Sequence, residues 1–305
     1  MASYLFVFNP QAKRCRPEAE AAIVRDARRI LPAATIRVTH TVPSAAEETG
    51  YEVADFARLS AGVEAVVAVG GDGTVNLVAT ALMRSGLYRQ VPLGVIPYGT
   101  GNNLVRSFGL EREAEKALLT IRQGHTVRLD VGVINRRFYF INASFGLFAY
   151  LIARRVTRSL VGWTYDALRH LGFTPWPVRL RYTDGAGREH TLPLQRYIVG
   201  ALLNTSHYGS ILRMAPDAVS DDGLFDVKLV HEAPRFAYPL LFTVILTGQY
   251  DLSRNTTTFR AARLEVLPET PCGFETDGDL IPVQARYEVE VAGQLRLLVP
   301  HPAGK

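Results

Sequence analysis

Val66 to Leu82 reads VVAVGGDGTVNLVATAL, and its reading decides the architecture. An unbroken apolar β-branched run passes through a glycine turn into residues of helical period, which is the βα half of a βαβ unit around a buried parallel sheet. Gly70, Gly71 and Gly73 let the backbone turn sharply and approach a ligand. The helix start that follows offers N–H groups and the positive end of its dipole, so the loop suits phosphate. Asp72 inside it is a poor phosphate ligand alone, and a divalent cation between carboxylate and phosphate is the expected remedy. The alternative is a purely structural strand-to-helix turn.

A second loop of the same design follows the next strand. Val95 to Val105 reads VIPYGTGNNLV, with Gly99, Thr100 and Gly101 leading into another helix. Two Gly-Thr loops after successive parallel strands lie on one rim of the sheet, where open α/β folds bind ligands. Neither is a Walker A loop, because no Lys-Ser or Lys-Thr follows the glycines, and neither fits G-x-G-x-x-G with a downstream acid.

Outward from these loops, the first 125 or so residues alternate short strands with helices. Strands are expected at Tyr4 to Phe8, Thr35 to Thr39, Glu64 to Val69 and Leu93 to Ile96; helices at Pro17 to Leu31, Ser44 to Leu59, Thr74 to Arg84 and Glu111 to Gln123. Pro17 and Ser44 suit helix starts. After Gly124 strand-like runs follow one another: 127–134, 137–142, 177–182, 189–194, 197–203, 224–230, 263–267, 284–291 and 295–299. Asn135-Arg136 and Asp184-Gly185 read as hairpin turns. Helical insertions are expected at 147–171 and 234–246. The chain therefore reads as an α/β nucleotide-binding domain over 1–126 and an antiparallel β-sandwich with helical insertions over 127–305. Its last strand, about 294–300, is expected to return to the first domain.

Composition narrows the function classes. The 305 residues are 48% hydrophobic and 21% charged, an ordinary globular mixture. The longest strongly apolar run, Phe236 to Thr247, has 12 residues and a proline, short of the roughly 20 that cross a bilayer. The N-terminus lacks the basic start and long apolar stretch of a secretory signal, so a cytoplasmic protein is expected, peripheral at the inner membrane surface if it meets lipid. Cys15 and Cys272 make neither a disulfide framework nor a zinc site. The net charge of +5 is spread without a basic block, and no single-strand platform or helix-turn-helix is present, so no nucleic-acid partner is expected. The histidines show no paired metal-ligand spacing.

Four motifs taken together carry a resemblance: FNPQAKR (Phe8 to Arg14), GGDGT followed by Val75-Asn76, PYGTGNN, and VSDDGLFDV (Val219 to Val227). In order and spacing from about residue 4 to residue 299, the chain resembles the diacylglycerol-kinase-type catalytic domain of soluble bacterial lipid kinases, related to sphingosine kinases and, more distantly, NAD kinases and phosphofructokinases. The resemblance implies a phosphofructokinase/NAD-kinase-like first domain. It also implies ATP and Mg²⁺ as cofactors, a cleft between the two domains, and transfer of the γ-phosphoryl group to a lipid hydroxyl of a diacylglycerol, related glycerolipid or sphingoid base. By matching positions, the nucleotide contacts are Asn9, Pro10, Gln11, Ala12, Lys13, Thr41, Gly70, Gly71, Asp72, Gly73, Thr74, Val75, Asn76, Leu77, Gly99, Thr100 and Asn102.

The same resemblance places the base in FETDGDL, at Asp277 with Asp279 as the other candidate. It implies a bridge joining Arg14, Asp130 and Asp279, with Lys13 as the alternative cation. A structural Mg²⁺ would be held by the Asp222 carboxylate and the carbonyls of Val219 and Leu224. Leu77 and Asn103 stand where the family has acids, which lowers the negative charge near the cleft, and Asp279 stands where the family has the longer Glu. Those departures keep open a catalytically impaired nucleotide-binding sensor, and a soluble acceptor such as NAD is the other alternative. On the acceptor side, Phe145 to Leu171 sets Phe148, Trp163 and Tyr165 among Arg154, Arg155, Arg158 and Arg169, a pattern that either lies on an anionic lipid surface or packs on the sandwich. A homodimer is a further expected partner state.

Overall fold

The computed structural model describes residues 2–12, 16–43, 51–53, 55–99, 102–154, 173–209 and 212–301. The chain divides into two compact units, residues 1–129 with 294–305, and residues 130–293. The first is a mixed α/β unit and the second a β-sandwich.

In the α/β unit, β1 (Ser3–Phe8), β2 (Thr35–Pro43), β4 (Ala65–Gly70) and β5 (Leu93–Pro97) form a parallel sheet in the order β5-β4-β1-β2. The end of β16 (Tyr287–Leu298) adds to it beside β5, with Leu297 opposite Leu93. β4 is buried at every position, as a central parallel strand covered on both faces must be. Helices α1 (Pro17–Ile30) and α5 (Ala114–Gln123) bring Ile23, Ala27, Leu118 and Ile121 against Phe6, Phe8, Val67, Val69 and Ile96. Burying each large apolar side chain of this kind contributes about 1.5–3 kcal/mol. Helix α3 (Asp72–Arg84) follows β4 directly and buries Val75, Val78, Ala79, Leu82 and Met83.

The helix expected over Ser44 to Leu59 is replaced in its second half by β3 (Tyr51–Val53) and a short α2 (Phe56–Leu59). β2 runs on to Pro43, so Thr41, Val42 and Pro43 give Val53, Glu52 and Tyr51 antiparallel ladder partners. Ladder pairing satisfies a β-branched and an aromatic residue better than a helix broken by Gly50. Ser44, the expected cap, lies outside the described residues.

In the sandwich unit one path runs β15 (Asp279–Gln284), β14 (Cys272–Thr276), β8 (Asn142–Gly146), β10 (Glu189–Leu203), β9 (Trp176–Thr183), β13 (Arg263–Pro268), β16. β11 (Phe225–His231) and β12 (Thr256–Ala261) branch from β10; β6 (Thr126–Ile134) and β7 (Phe138–Phe140) branch from β16. The ladders that join β10 to β8, β9 and β11, β11 to β12, β13 to β9 and β16, β14 to β8 and β15, and β6 to β7 are antiparallel. Phe140, Phe145, Tyr197, Phe225, Phe274 and Tyr287 are fully buried between the faces. Helix α6 (Leu147–Ala153) starts the expected insertion over 147–171, of which 155–171 lie outside the described residues. The apolar run near Phe236 becomes α7 (Tyr238–Thr247). Among the described residues no helix is long and apolar enough to cross a membrane.

Several strand boundaries move for local reasons. The runs 189–194 and 197–203 form one strand, because a register shift between Leu192 and Gln195 absorbs Pro193 in a bulge. Asn135 and Arg136 both take positive φ, 50° and 56°, as a two-residue hairpin of type I′ requires. At the other turn, Gly187 rather than Gly185 takes the positive φ.

Candidate active site

In the α/β unit the two glycine loops touch backbone to backbone. A Cβ placed on Gly71 would lie 3.0 Å from the Cα of Gly99, and one on Gly99 would lie 2.9 Å from Asn102 Oδ1 and inside contact with the Gly71 backbone. A Cβ on Gly70 would strike Thr74. These glycines are needed for close approach, and the loops form one surface. Tyr98 N–H donates to Gly70 O at 2.8 Å, tying the second loop to the end of β4.

Asp72 joins them a second time. It is the first residue of α3, and its Oδ1 accepts the backbone N–H of Asn103 at 2.8 Å, capping α4 (Asn103–Phe108) from the other loop. Asn102 takes φ of 53° and donates its Nδ2 to Gly99 O at 2.9 Å. The amides of residues 72–74 precede the first bond of α3, from Val75 N–H to Gly71 O at 3.0 Å. Anions gather at amides so placed.

The first loop closes over this surface. Asn9 Nδ2 donates to Thr74 Oγ1 at 3.1 Å, while Asn9 Oδ1 accepts Gln11 N–H at 2.9 Å and Asn9 O accepts Ala12 N–H at 3.0 Å. Asn9, Pro10, Gln11 and Ala12 thus form a turn pinned to the start of α3. Asn76 is buried and Leu77 half-buried on the next turn of that helix. Thr41 on β2 is 2% exposed, and its Oγ1 has no hydrogen-bond partner among the described residues. A buried hydroxyl without a partner costs free energy and suits a ligand-facing position. Lys13, Arg14 and Thr100 lie outside the described residues.

Asp72→Ala is expected to weaken ATP binding about tenfold and to lower stability by about 0.5–2 kcal/mol, the usual cost of losing a helix cap. Isothermal titration with ATP and thermal melting measure the two effects. Unchanged affinity would show that the contact between loops is only structural.

In the sandwich unit, β14 and β15 form a hairpin whose turn is Asp277-Gly278, with φ of 49° and 95°. Asp277 is 8% exposed. Its Oδ2 accepts Ile141 N–H at 2.8 Å, its Oδ1 accepts Asn142 N–H at 2.9 Å, and its own N–H donates to Asn142 O at 2.9 Å. The bonds also explain why the strand expected over 137–142 divides into β7 and β8: the amides of Ile141 and Asn142 serve Asp277.

Asp130 is fully buried at the start of this unit; its N–H donates to Ser220 O at 2.6 Å, and its Oδ2 accepts Gly223 N–H at 2.7 Å. It therefore holds the acidic loop 220–223. Asp279 begins β15 and is half-buried. Asp222 accepts Leu224 N–H on Oδ1 at 3.1 Å and pairs with Arg260 through Oδ2. Val219 is 44% exposed. The carboxylate and carbonyl oxygens here suit a hard cation, and Arg260 is the counter-charge that such an ion would displace.

The sequence did not single out Glu275, Ser144 or Tyr208. Glu275 is fully buried in β14, directly opposite Ser144 in the ladder with β8. Its one visible signal was an acid inside the apolar strand CGFET.

The diacylglycerol kinase catalytic domain profile matches residues 3–134, and that of the YegS C-terminal NAD kinase β-sandwich-like domain matches residues 151–299. A protein of Chromohalobacter salexigens named "Probable lipid kinase YegS-like" is 33% identical over 192 residues, 59% of this chain and 60% of that protein. The chain thus spans less than two thirds of that relative. A diacylglycerol kinase of Bacillus subtilis is 27% identical over 252 residues, 76% of this chain and 81% of its own length. The crystal structure of a diacylglycerol kinase from Bacillus anthracis str. Sterne superposes with a TM-score of 0.70 at 19% identity, covering 99% of this chain and 97% of that one.

Proposed function

We propose that this chain, which belongs to the diacylglycerol-kinase-type catalytic domain family, transfers the γ-phosphoryl group of ATP to a hydroxyl of a lipid, a diacylglycerol, related glycerolipid or sphingoid base. The observation that carries the reading is the glycine surface: Gly71 and Gly99 in backbone contact, with Asp72 capping Asn103 across them. Such a surface has no side chains to hold a phosphate chain off the amides of α3. The Thr41 hydroxyl, without a hydrogen-bond partner among the described residues, supports a nucleotide at the same end of the sheet.

In this reading Asn9, Pro10, Gln11, Ala12 and Lys13 close over the nucleotide, while the amides of residues 72–74 bind and orient the phosphates. Thr74, Asn76 and Asn102 belong to the same loops and the helix starts that follow them, and Thr100 is assigned a phosphate contact in this reading by its place in the second loop. Asp72 is the carboxylate that would hold a divalent cation such as Mg²⁺ through water, and that ion would supply neutralisation of phosphate charge. Asp277 accepts the proton of the attacking hydroxyl, and Asp279 with Asp130 and Arg14 supports it. Phosphoryl transfer asks of the protein mainly positioning, charge neutralisation and such a carboxylate. A divalent cation on Val219, Asp222 and Leu224 belongs to the same proposal in a structural role.

A lipid acceptor is also supported by apolar surface on the sandwich unit. Phe236 is 86% exposed, with Leu240 at 46% and Leu252 at 57% within the same stretch of chain, apolar side chains that a lipid could cover. Incubation with γ-labelled ATP, Mg²⁺ and a mixed lipid panel is expected to give label that partitions into organic solvent. Label in a water-soluble product would name a soluble acceptor instead. No labelled product while ATP binds would remove the kinase reading.

A further inference from the structure

Beneath the Asp277-Gly278 turn lies a buried carboxyl that the proposed chemistry leaves unused. Glu275 Oε1 accepts the Ser144 hydroxyl at 2.6 Å and also the Tyr208 hydroxyl, and the two hydroxyl oxygens lie 2.8 Å apart. Its other oxygen, Oε2, accepts Gly278 N–H at 2.8 Å. Glu275 and Ser144 are fully buried, and Tyr208 is 6% exposed.

The network continues sideways without a gap. Asn142, whose N–H and C=O both bond Asp277, donates Nδ2 to Thr205 Oγ1 at 2.7 Å and accepts the amides of Asn204 and Thr205 at 3.0 and 3.3 Å. The turn is therefore fixed from two sides: Asp277 by the β7–β8 backbone, Gly278 by Glu275. A Gly at φ of 95° has many alternative conformations, so its one bond to Glu275 matters for where Asp277 points.

We propose that Glu275 is the positioning residue of the candidate base, holding the Asp277-Gly278 turn through Gly278 N–H while Ser144 and Tyr208 lock its own orientation. The inference rests on the kinase reading for its catalytic meaning and on the hydrogen bonds alone for its structural meaning.

The network also titrates in a useful range. Burial pushes the Glu275 carboxyl up to about 7, the Asp277 charge adds in the same direction, and the bonds from Ser144, Tyr208 and Gly278 oppose them. No cation is among these partners. Burial, with the charge of Glu275, drives the Tyr208 phenol well above its ordinary range. Among the described residues, the other titratable side chains on β14 and packed against it include Cys272 on β14 itself, Tyr139 on β7, Tyr150 on α6, Asp279 on β15 and Tyr287 on β16, whose hydroxyl donates to Cys272 O at 2.6 Å; Tyr150 lies against Phe173 and under Arg154. Glu275 thus changes charge near neutrality beside the base, and kcat is expected to inflect near pH 7.

Three variants test the proposal. Glu275→Leu is expected to lower kcat at least tenfold with KM for ATP within twofold, and to speed hydrogen exchange of the Gly278 amide at least tenfold. Glu275→Gln keeps the shape and is expected to restore most of kcat while losing the inflection near pH 7. Tyr208→Phe removes a donor that favours the charged form, so the inflection moves upward. The proposal is overturned if Glu275→Leu leaves Gly278 exchange at the wild-type rate, if exchange rises while kcat does not fall, or if Glu275→Gln keeps the wild-type inflection. Should Glu275→Leu fail to fold, the Tyr208→Phe and Glu275→Gln profiles decide. Should the wild type label no lipid, the kinase reading fails, and Gly278 exchange alone decides whether Glu275 holds the turn.

Discussion

Asp277→Asn is expected to reduce phosphoryl transfer to lipid by about 10²- to 10⁴-fold, the range that general-base catalysis contributes, while the Kd for ATP stays within twofold. Asn is the right replacement because it tolerates the left-handed conformation that Asp277 adopts at φ of 49°, so the turn is not strained by the change itself. It is not neutral, however. A carboxylate serves both Ile141 N–H and Asn142 N–H; an amide has one acceptor oxygen, and its NH₂ faces the other donor. Leaving that buried amide unpaired costs about 1–3 kcal/mol. Melting curves must therefore accompany the kinetics, with assays run well below the transition. A folded variant that keeps more than a tenth of wild-type activity would take the base away from Asp277 and hand the role to Asp279.

Gly99→Ala should produce the largest loss of nucleotide affinity, at least tenfold in Kd for ATP, together with a destabilisation of about 1–3 kcal/mol from overpacking. The added methyl would enter the Gly71 backbone, and backbone cannot rotate away as a side chain can. The loops must part, carrying with them the Asp72 contact to Asn103. Gly273→Ala is the control, because its Cβ would meet Ala149 at an ordinary 3.7 Å in the sandwich unit. It should leave ATP binding unchanged. If Gly99→Ala binds ATP as the wild type does, the glycine surface is not where the phosphates sit.

The comparison of sequence with structure turns on which residues signal locally. The run from Val66 to Leu82 gave strand, turn and helix correctly because each choice is made by its own neighbours: β-branched apolar residues, three glycines, then a 3.6-residue period. Tyr51 to Val53 was misread as helix because its strand partners, Pro43 to Thr41, are eight to twelve residues away, farther than the residues that decide a local helix. Gln195-Arg196 misled in the opposite sense, read as a break between the runs 189–194 and 197–203 that the sandwich keeps as one strand with a bulge at its register shift. β14 and β15 were missed although the Asp-Gly between them is a strong hairpin signal, because their burial alternation is interrupted by Glu275.

The sequence by itself determined the class of each half, the two glycine loops and the motif order that marks the family, since these depend on local conformational preference and fixed spacing. Only the tertiary structure decided what the polar residues do: that Asp72 caps the neighbouring loop, that Asp277 collects the amides of Ile141 and Asn142 at the junction of β7 and β8, and that Glu275, Ser144 and Tyr208 share one buried network. The physical reason is that a hydrogen bond between residues 31, 131 or 136 positions apart is formed by folding, and a carboxylate's role is set by the groups that replace its water.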